Sequence, residues 1–506
     1  MQVPTAARQP FWVGAALMMT AGSLGLPPEH PVYWVPNKDQ GDYAWPIFGG
    51  TPGRNMVNTV EQNIPRDWCI QGGKRQNIKW TAELGARSAG SPVIALGKVF
   101  VATADYKRGV PKKQGRQAAL MAFRESDGQL LWQIAHEVPA HWPGAFTGTF
   151  PSTPAVADGK LYYLTFAGEV ICADADKGRI QWRYDMARHL GVFPYQDGCQ
   201  AYVAPPWSSP LVVGDHVFLS TGNGIDDEGT LQFPQAPSFV ALDRRTGKLV
   251  WQSNLPGRNL SEGAWSSPAY SNHGGRPQVI FAGGDGVIYS FAPETGALLW
   301  ECDCVPERKK LADVETECQF IGTPVVVGDR LYVGMGVTRF RHGPRHTYFL
   351  CLDITKQGDV SLRCFEASDP ANKKSALVWA FGGPVNPQPK RGRKFDFQGT
   401  RSTTAVHQGL IYITEDLGYV HCLDAGTGRQ LWVYDLEAEI LGSPYLVDGR
   451  VFVGTQDEEV VIFHHGGAAK IRAKIDMEDA VETTPVAANG TLYITTRSKL
   501  YAIAGQ

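Results

Sequence analysis

A dominant charge of one sign is absent from this chain. Its 48 Lys plus Arg face 50 Asp plus Glu, a formal net charge of -2 over 506 residues, so no global field draws it to nucleic acid or to an anionic membrane. The nine cysteines contain no CxxC and no CxxCH spacing, which excludes covalent c-type haem and most zinc motifs. No two cysteines are adjacent, and the odd total leaves at least one unpaired within the chain. A membrane-spanning helix needs ~20 consecutive apolar residues. The longest candidate here, FWVGAALMMTAGSLGL from Phe11 to Leu26, is shorter and carries Thr, Ser and Gly. No Ser/His/Asp spacing and no phosphate-binding loop stands out. With 43% hydrophobic and only 19% charged residues, a disordered or collagen-like chain is excluded as well.

The apolar run after Arg8 reads as a secretory signal peptide, with Ala21 and Ser23 as small residues for cleavage. The first cysteine, Cys69, lies far beyond it, which excludes a lipid anchor on a cysteine near that site. The mature protein is therefore expected in the periplasm or secreted, soluble and monomeric, with no integral membrane span. Cys172, Cys351 and Cys422 alternate with apolar residues and read as buried thiols, whereas the close group Cys302, Cys304 and Cys318 would hold one disulfide in an oxidising compartment.

What the chain has in abundance is Gly, 56 residues, and Trp, 14 residues, as expected of many short strands joined by tight turns with large rings between sheets. A unit recurs along it. Each copy has a small-residue-Pro start, an apolar strand, a Gly turn, a strand rich in Val, Tyr and Phe, a strand like VxALD, then a TG turn and a strand bearing Trp. Starts fall at Ser91, Ser152, Ser208, Ser266, Gly322, Ser402, Gly442 and Thr483; closing strands carry Trp132, Trp182, Trp251, Trp300 and Trp432. A period of about 40 to 60 residues with four strands per unit is the signature of an all-β fold, a β-propeller of eight four-stranded antiparallel blades.

Departures from the repeat fix its closure. The last unit ends in KLYAIAGQ with no Trp strand of its own, while NIKWTAEL around Trp80 precedes the first unit and has none to belong to. Trp80 is thus expected to supply the last blade's outer strand and leave no open sheet edge. Each Trp should cover the gap to the next blade, its indole N–H on a carbonyl. The seventh unit ends HHGGAAKI without a Trp, so its outer edge should be the most weakly held; the fifth has an insertion from about Gly358 to Ala376 before a displaced Trp379. The expected organisation is a signal-like segment at 1–26, an N-terminal extension at 27–76 and the propeller at 77–506.

The unit GxVYxxxxxGxVxALDxxTGxxxW resembles the pyrroloquinoline-quinone (PQQ) repeat, seen both in quinoprotein alcohol dehydrogenases and in non-catalytic propellers such as the periplasmic scaffold of outer-membrane protein assembly. The dehydrogenases hold PQQ and calcium at the centre of an eight-bladed ring. By that resemblance the stretch before and within SSPLVVGDHVFLSTGNG would give Trp207 as the floor under the cofactor and Asn223 as a calcium ligand, with Glu169 in FAGEV as the carboxylate ligand. An indole stacks on a planar quinone and an amide oxygen suits a hard cation. The general base, an Asp in the dehydrogenases, has only Glu262 near its place, in WQSNLPGRNLSEGAW. The vicinal cysteine pair of that family is missing.

These departures favour a non-catalytic propeller that needs no cofactor and presents its faces to a protein, a glycan or a small ligand. The alternative is a PQQ- and calcium-dependent dehydrogenase acting on alcohols or sugars. Basic runs at RFRHGPRH, with His342 and His346, and at KRGRK, from Lys390 to Lys394, read as solvated loops. His464 and His465 are adjacent, and neighbours on a strand face opposite sides, so they form no metal site by themselves.

Overall fold

The computed structural model describes residues 45–72, 74–85, 87–88, 90–104, 116–138, 152–192, 207–225, 230–231, 233–260, 263–306, 319–336, 345–385 and 397–505. The signal-like segment, Cys199, Cys318, Glu262 and the side chains of both basic runs lie outside them. The described residues belong to one compact unit, Val32–Gln506. Among them no helix is long and apolar enough to cross a membrane.

The chain folds as an eight-bladed β-propeller. Blades 1 to 7 occupy residues 93–138, 155–185, 211–253, 269–303, 325–385, 405–435 and 445–476, and blade 8 combines residues 486–503 with the early strand Ile78–Glu83. Within blades 1 to 7 the four strands pair antiparallel in chain order from the axis outward, and in blade 8 the early strand is outermost. The second and third strands, such as His216–Ser220 and Phe239–Asp243, are buried on nearly every residue, because both faces lie against neighbouring blades; hence their continuous apolar runs. Outer strands, such as Ile180–Asp185, alternate exposed with more buried residues.

Ring closure follows the expected route. Ile78–Glu83 pairs antiparallel with Lys499–Ile503, Ala82 opposite Leu500 and Trp80 opposite Ala502. The Trp80 indole then reaches blade 1, where Nε1 donates to Glu125 O at 2.9 Å. The same contact repeats around the ring: Trp132 donates to Asp176 O, Trp182 to Arg244 O, Trp251 to Pro293 O, Trp379 to Ala425 O and Trp432 to Gly466 O. Gly128 of the first such turn, Asp127–Gly128, shows why a glycine is required there. Its φ of +73° is left-handed, and a Cβ there would come within 2.6 Å of the Trp80 ring. Trp300 departs from the pattern, donating to Gln278 Oε1 at 2.7 Å. There the fifth unit's insertion crosses back, and Gly358–Asp359 adds a parallel strand to the edge of blade 4 with Gly358 beside Trp300.

The small-residue-Pro start of each unit builds the axis. Backbone N–H groups donate to a hydroxyl of the following blade from Ser91 to Thr153, Thr153 to Ser209 and Ser209 to Ser267; the series resumes from Thr403 to Ser443, Ser443 to Thr484 and Thr484 back to Ser91, all at 2.9–3.2 Å. The residue before each hydroxyl is small because the next blade lies against it: a Cβ at Gly442 would meet Thr483 O at 2.7 Å, and one at Gly322 would meet Ser402 O at 2.8 Å.

The N-terminal extension fills the axis on one side of this belt, which the repeats gave no reason to expect. Trp45 pairs with Ile94 of blade 1, Pro46 O accepts from Val156 of blade 2, Pro52 O from Tyr270 of blade 4 and Gly53 O from Val326 of blade 5. Asn55 bonds Val406 of blade 6, Val57–Asn58 pairs parallel with Tyr445–Val447 of blade 7, and Asn58 Nδ2 donates to Ala487 O of blade 8. Arg54, fully buried, supplies the remaining blade: its guanidinium donates to Phe48 O, Ser209 O, Pro210 O and Pro268 O. Burial pushes its pKa down to about 9, and the four carbonyl oxygens stand in for a counter-ion.

Truncating the closing ring should unmake the fold's seam. Trp80→Ala removes both the inter-blade packing and the bond to Glu125, and should cost ~3–5 kcal/mol in chemical denaturation. Leu417→Ser, on a side chain 49% exposed, should stay within ~0.5 kcal/mol. Equal effects would contradict closure through Trp80.

Candidate functional site at the channel mouth

The plug bonds residues that follow the belt hydroxyls in each blade, so the residue two positions before each hydroxyl stands on the other side of the belt, here called the channel mouth. These residues are Trp207, Trp265, Ile321, Arg401, Leu441 and Glu482 in blades 3 to 8. They divide the mouth into two arcs.

The arc of blades 3 to 5 is aromatic. Trp207 and Trp265 stack with ring centroids 6.0 Å apart and planes at 28°, both half-buried. Asn223, 3% exposed, belongs to the same corner, since its carbonyl accepts from Ala264 N at 3.0 Å, next to Trp265. Its Nδ2 donates to Phe233 O and Ala236 O, each at 3.2 Å. The indole nitrogens of Trp207 and Trp265 and both amide atoms of Gln319 are buried with no hydrogen-bond partner. Each such group costs ~1–3 kcal/mol, so this corner holds unmet polar capacity.

The arc of blades 6, 8 and 1 is ionic. Glu482, its side chain 1% exposed, is clamped by Arg87 Nε at 2.6 Å and by Arg497 NH2 at 2.7 Å. Arg401 Nε meets Asp416 Oδ2 at 2.6 Å. Behind them the Glu415 carboxylate bonds His421 Nε2 and accepts from Gln398 N at 3.0 Å, while His421 Nδ1 lies 3.0 Å from Gln430 Oε1. Phe381 and Phe397 stand edge-on to that imidazole. Burial pushes the Glu415 carboxyl above the ordinary carboxylate range, and the bond to His421 opposes the shift.

Of the residues the resemblance implies, Trp207 stacks on Trp265 and the Asn223 backbone oxygen accepts from Ala264 N, next to Trp265. Glu169 opens the third strand of blade 2 and pairs with Arg183 of that blade's outer strand at 3.3 Å. Calcium requires six to eight oxygen ligands, carboxylates among them; among the described residues no group of three or more His, Cys, Asp or Glu is placed to hold a metal ion. Glu169 held by Arg183 does not fit the calcium set implied by the resemblance. Cys172, Cys351 and Cys422 are buried thiols, and Cys302 and Cys304, buried too, remain thiols with sulfurs 3.8 Å apart. Trp265, Arg401 and Glu482 were readable from the sequence by laying the repeats over one another at their small-residue-Pro starts. Gln319 and Arg54 carried no such signal.

A family profile described as outer membrane protein assembly factor BamB matches residues 116–362 and 366–504. The chain belongs to this family. A BamB of Shewanella oneidensis is 22% identical over 422 residues, covering 78% of this chain and 90% of its own. The quinoprotein alcohol dehydrogenase PedH of Pseudomonas putida is 28% identical over 151 residues, covering 29% of this chain and 22% of its own. For a second BamB and a tetrathionate hydrolase the match spans only 30% and 53% of the relative's length. Among solved structures, a europium-containing methanol dehydrogenase aligns with a TM-score of 0.59 at 13% identity, over 91% of this chain and 98% of its own. That likeness speaks for the fold alone. The BamB family and the quinoprotein dehydrogenases thus share this propeller, and the residues at the mouth must distinguish them.

Removing His421 tests the ionic arc. His421→Ala strips Glu415 of its buried partner and should cost ~3–5 kcal/mol at pH 7.5. Because the native carboxyl already holds its proton more tightly than the unfolded chain does, the penalty belongs to the charged form. It should therefore shrink as the pH falls toward 5 and Glu415 takes up a proton. Denaturation midpoints measured across that range check the sign; a loss independent of pH would contradict it.

Proposed function

We propose that this protein is a non-catalytic, extracytoplasmic propeller that serves as a binding or scaffold module, acting as a monomer and receiving a protein, a glycan or a small ligand at its mouth and loop faces. The observation that carries this reading is Glu169, the carboxylate that a calcium-dependent dehydrogenase would spend on its metal and that here pairs with Arg183. The plug supports it, since residues 45–58 bond to all eight blades around the axis on one side of the belt. Family membership places BamB, an assembly factor by name, among the relatives. Its role suits a face that docks polypeptide.

A second reading, a PQQ- and calcium-dependent dehydrogenase of alcohols or sugars, draws on the Trp207–Trp265 stack beside Asn223. In that case Trp207 would carry the quinone on its ring and Asn223 would ligate the cation. PQQ would then supply the oxidising chemistry.

Calorimetry with PQQ and calcium, followed by a dye-linked assay over an alcohol and sugar panel, separates the two. The scaffold reading predicts no saturable micromolar binding and no dye reduction. Micromolar PQQ binding abolished by Asn223→Ala, together with alcohol oxidation, would overturn it in favour of the dehydrogenase.

A further inference from the structure

The outer strand of a blade is paired on one side only, so its outward N–H and C=O groups form an open edge. Among the described residues one blade covers that edge from its own chain. In blade 4 the segment from Gly358 runs parallel to the outer strand Leu298–Asp303, with Gly358 opposite Trp300 and Asp359 opposite Glu301. Val360 N then donates to Glu301 O and Leu362 N to Asp303 O, both at 2.9 Å. Val360 and Leu362, each 3% exposed, join Trp300 in one apolar cluster, and Leu299 packs half-buried against it. The segment shows what such an edge accepts: a parallel strand with an acid first, then apolar residues at alternate positions.

Blade 1 carries the same edge uncovered. Its outer strand, Leu130–Val138, has nine residues and pairs, among the described residues, only with Arg116–Arg124. Both blades shift register at the same place, between Ala122 and Phe123 in blade 1 and between Ser290 and Phe291 in blade 4. Trp132 therefore matches Trp300, and the Gln133 and Ala135 carbonyls face the open edge as those of Glu301 and Asp303 do. Leu131 matches the covered Leu299, yet Leu130 and Leu131 are left 40% and 36% exposed. Beside them a groove of about 580 Å³ runs between blades 1 and 2, its wall formed by Leu131 and Trp132 and its charge by Lys98, Arg124 and Lys177 against the single acid Asp176. Lys98 lies 3.0 Å from Asp176, and Arg124 lies 2.8 Å from the exposed Asp127. Exposed pairs of this kind are worth only ~0–1 kcal/mol, so a carboxylate brought by a partner can share their cations.

We propose that the outer edge of blade 1 docks an extended segment of a protein partner, which adds as a parallel fifth strand and carries acidic residues just before apolar residues at alternate positions. A segment running as Gly358–Leu362 runs in blade 4 enters beside Trp132. Its leading acids then meet Lys98, Arg124 and Lys177, and its apolar side chains cover Leu131. Main-chain bonds to Gln133 and Ala135 supply affinity, and the groove supplies specificity. The edge lies on the rim of the ring, so the proposal stands apart from what the mouth receives.

Fluorescence anisotropy of a labelled peptide titrated with the full-length chain tests the edge. The probe carries two glutamates ahead of this chain's own Gly358–Leu362 sequence. The expected result is saturable binding with a micromolar Kd, weakened at least tenfold by Leu131→Asp and at least threefold by Lys177→Glu. Val250→Asp, at the matching place on the shorter outer strand Leu249–Ser253 of blade 3, should leave it unchanged. Methylating the probe's amide nitrogen at the position of Val360 should weaken binding at least tenfold, as should replacing its glutamates with lysines. Leu131, Lys177 and Val250 are all exposed, so each variant should melt with the parent, and the melts verify that it is native. No binding to the parent, binding that any of the weakening changes leaves intact, or an equal loss with Val250→Asp would overturn the proposal. So would a parent chain that sediments as a dimer and becomes monomeric with Leu131→Asp, because the occupant would then be a second copy.

Discussion

Hydroxyl-to-amide hydrogen bonds around the axis are the constraint on which the rest of the propeller depends. Six of them run from a Ser or Thr N–H of one blade to a Ser or Thr hydroxyl of the next, including the seam from Thr484 to Ser91. Each contributes only ~0.5–1.5 kcal/mol, yet leaving any one of these buried groups unmade costs more than making it contributes. The belt therefore sets how close the inner strands come. That closeness demands a small residue before each hydroxyl, and in every blade but the sixth, where Thr404 stands, a Pro follows it and has no N–H to satisfy. From the spacing at the axis follow the splay of the blades and the width of the outer gap that each Trp must fill.

Much of this was legible in the sequence because repetition multiplies weak local signals. The TG glycines, the Trp strands and the early strand around Trp80 named the fold, the blade count and the closure, and each contact is where turn chemistry and packing place it. The plug was not legible. Residues 45–58 carry no repeat period, and their bonds go one by one to eight separate blades, so nothing local marks Arg54 as a buried cation held by carbonyl oxygens. Glu169 pairs with Arg183 on the adjacent strand, a partner that its place in the hairpin does not single out because a side chain chooses its partner in three dimensions.

The functional consequence is an asymmetric channel. Plug and belt close one side with backbone and side-chain bonds, while the other side keeps an aromatic arc with unpaired buried donors facing an ionic arc whose charges are already paired. Among the described residues this mouth offers aromatic faces and unmet hydrogen-bond donors beside charges that already have partners. The belt and staples are indifferent to what the mouth carries, so the BamB family and the quinoprotein dehydrogenases can share one architecture.

The central claim is that the belt locks eight blades into one cooperative unit with a preformed mouth. Hydrogen exchange of the amides of Ser91, Thr153, Ser209, Thr403, Ser443 and Thr484, followed as denaturant is raised, tests it most directly. The account predicts that these six are among the slowest to exchange and that their opening free energies converge on one value, that of global unfolding. Belt amides that open at separate, lower free energies, blade by blade, would contradict it.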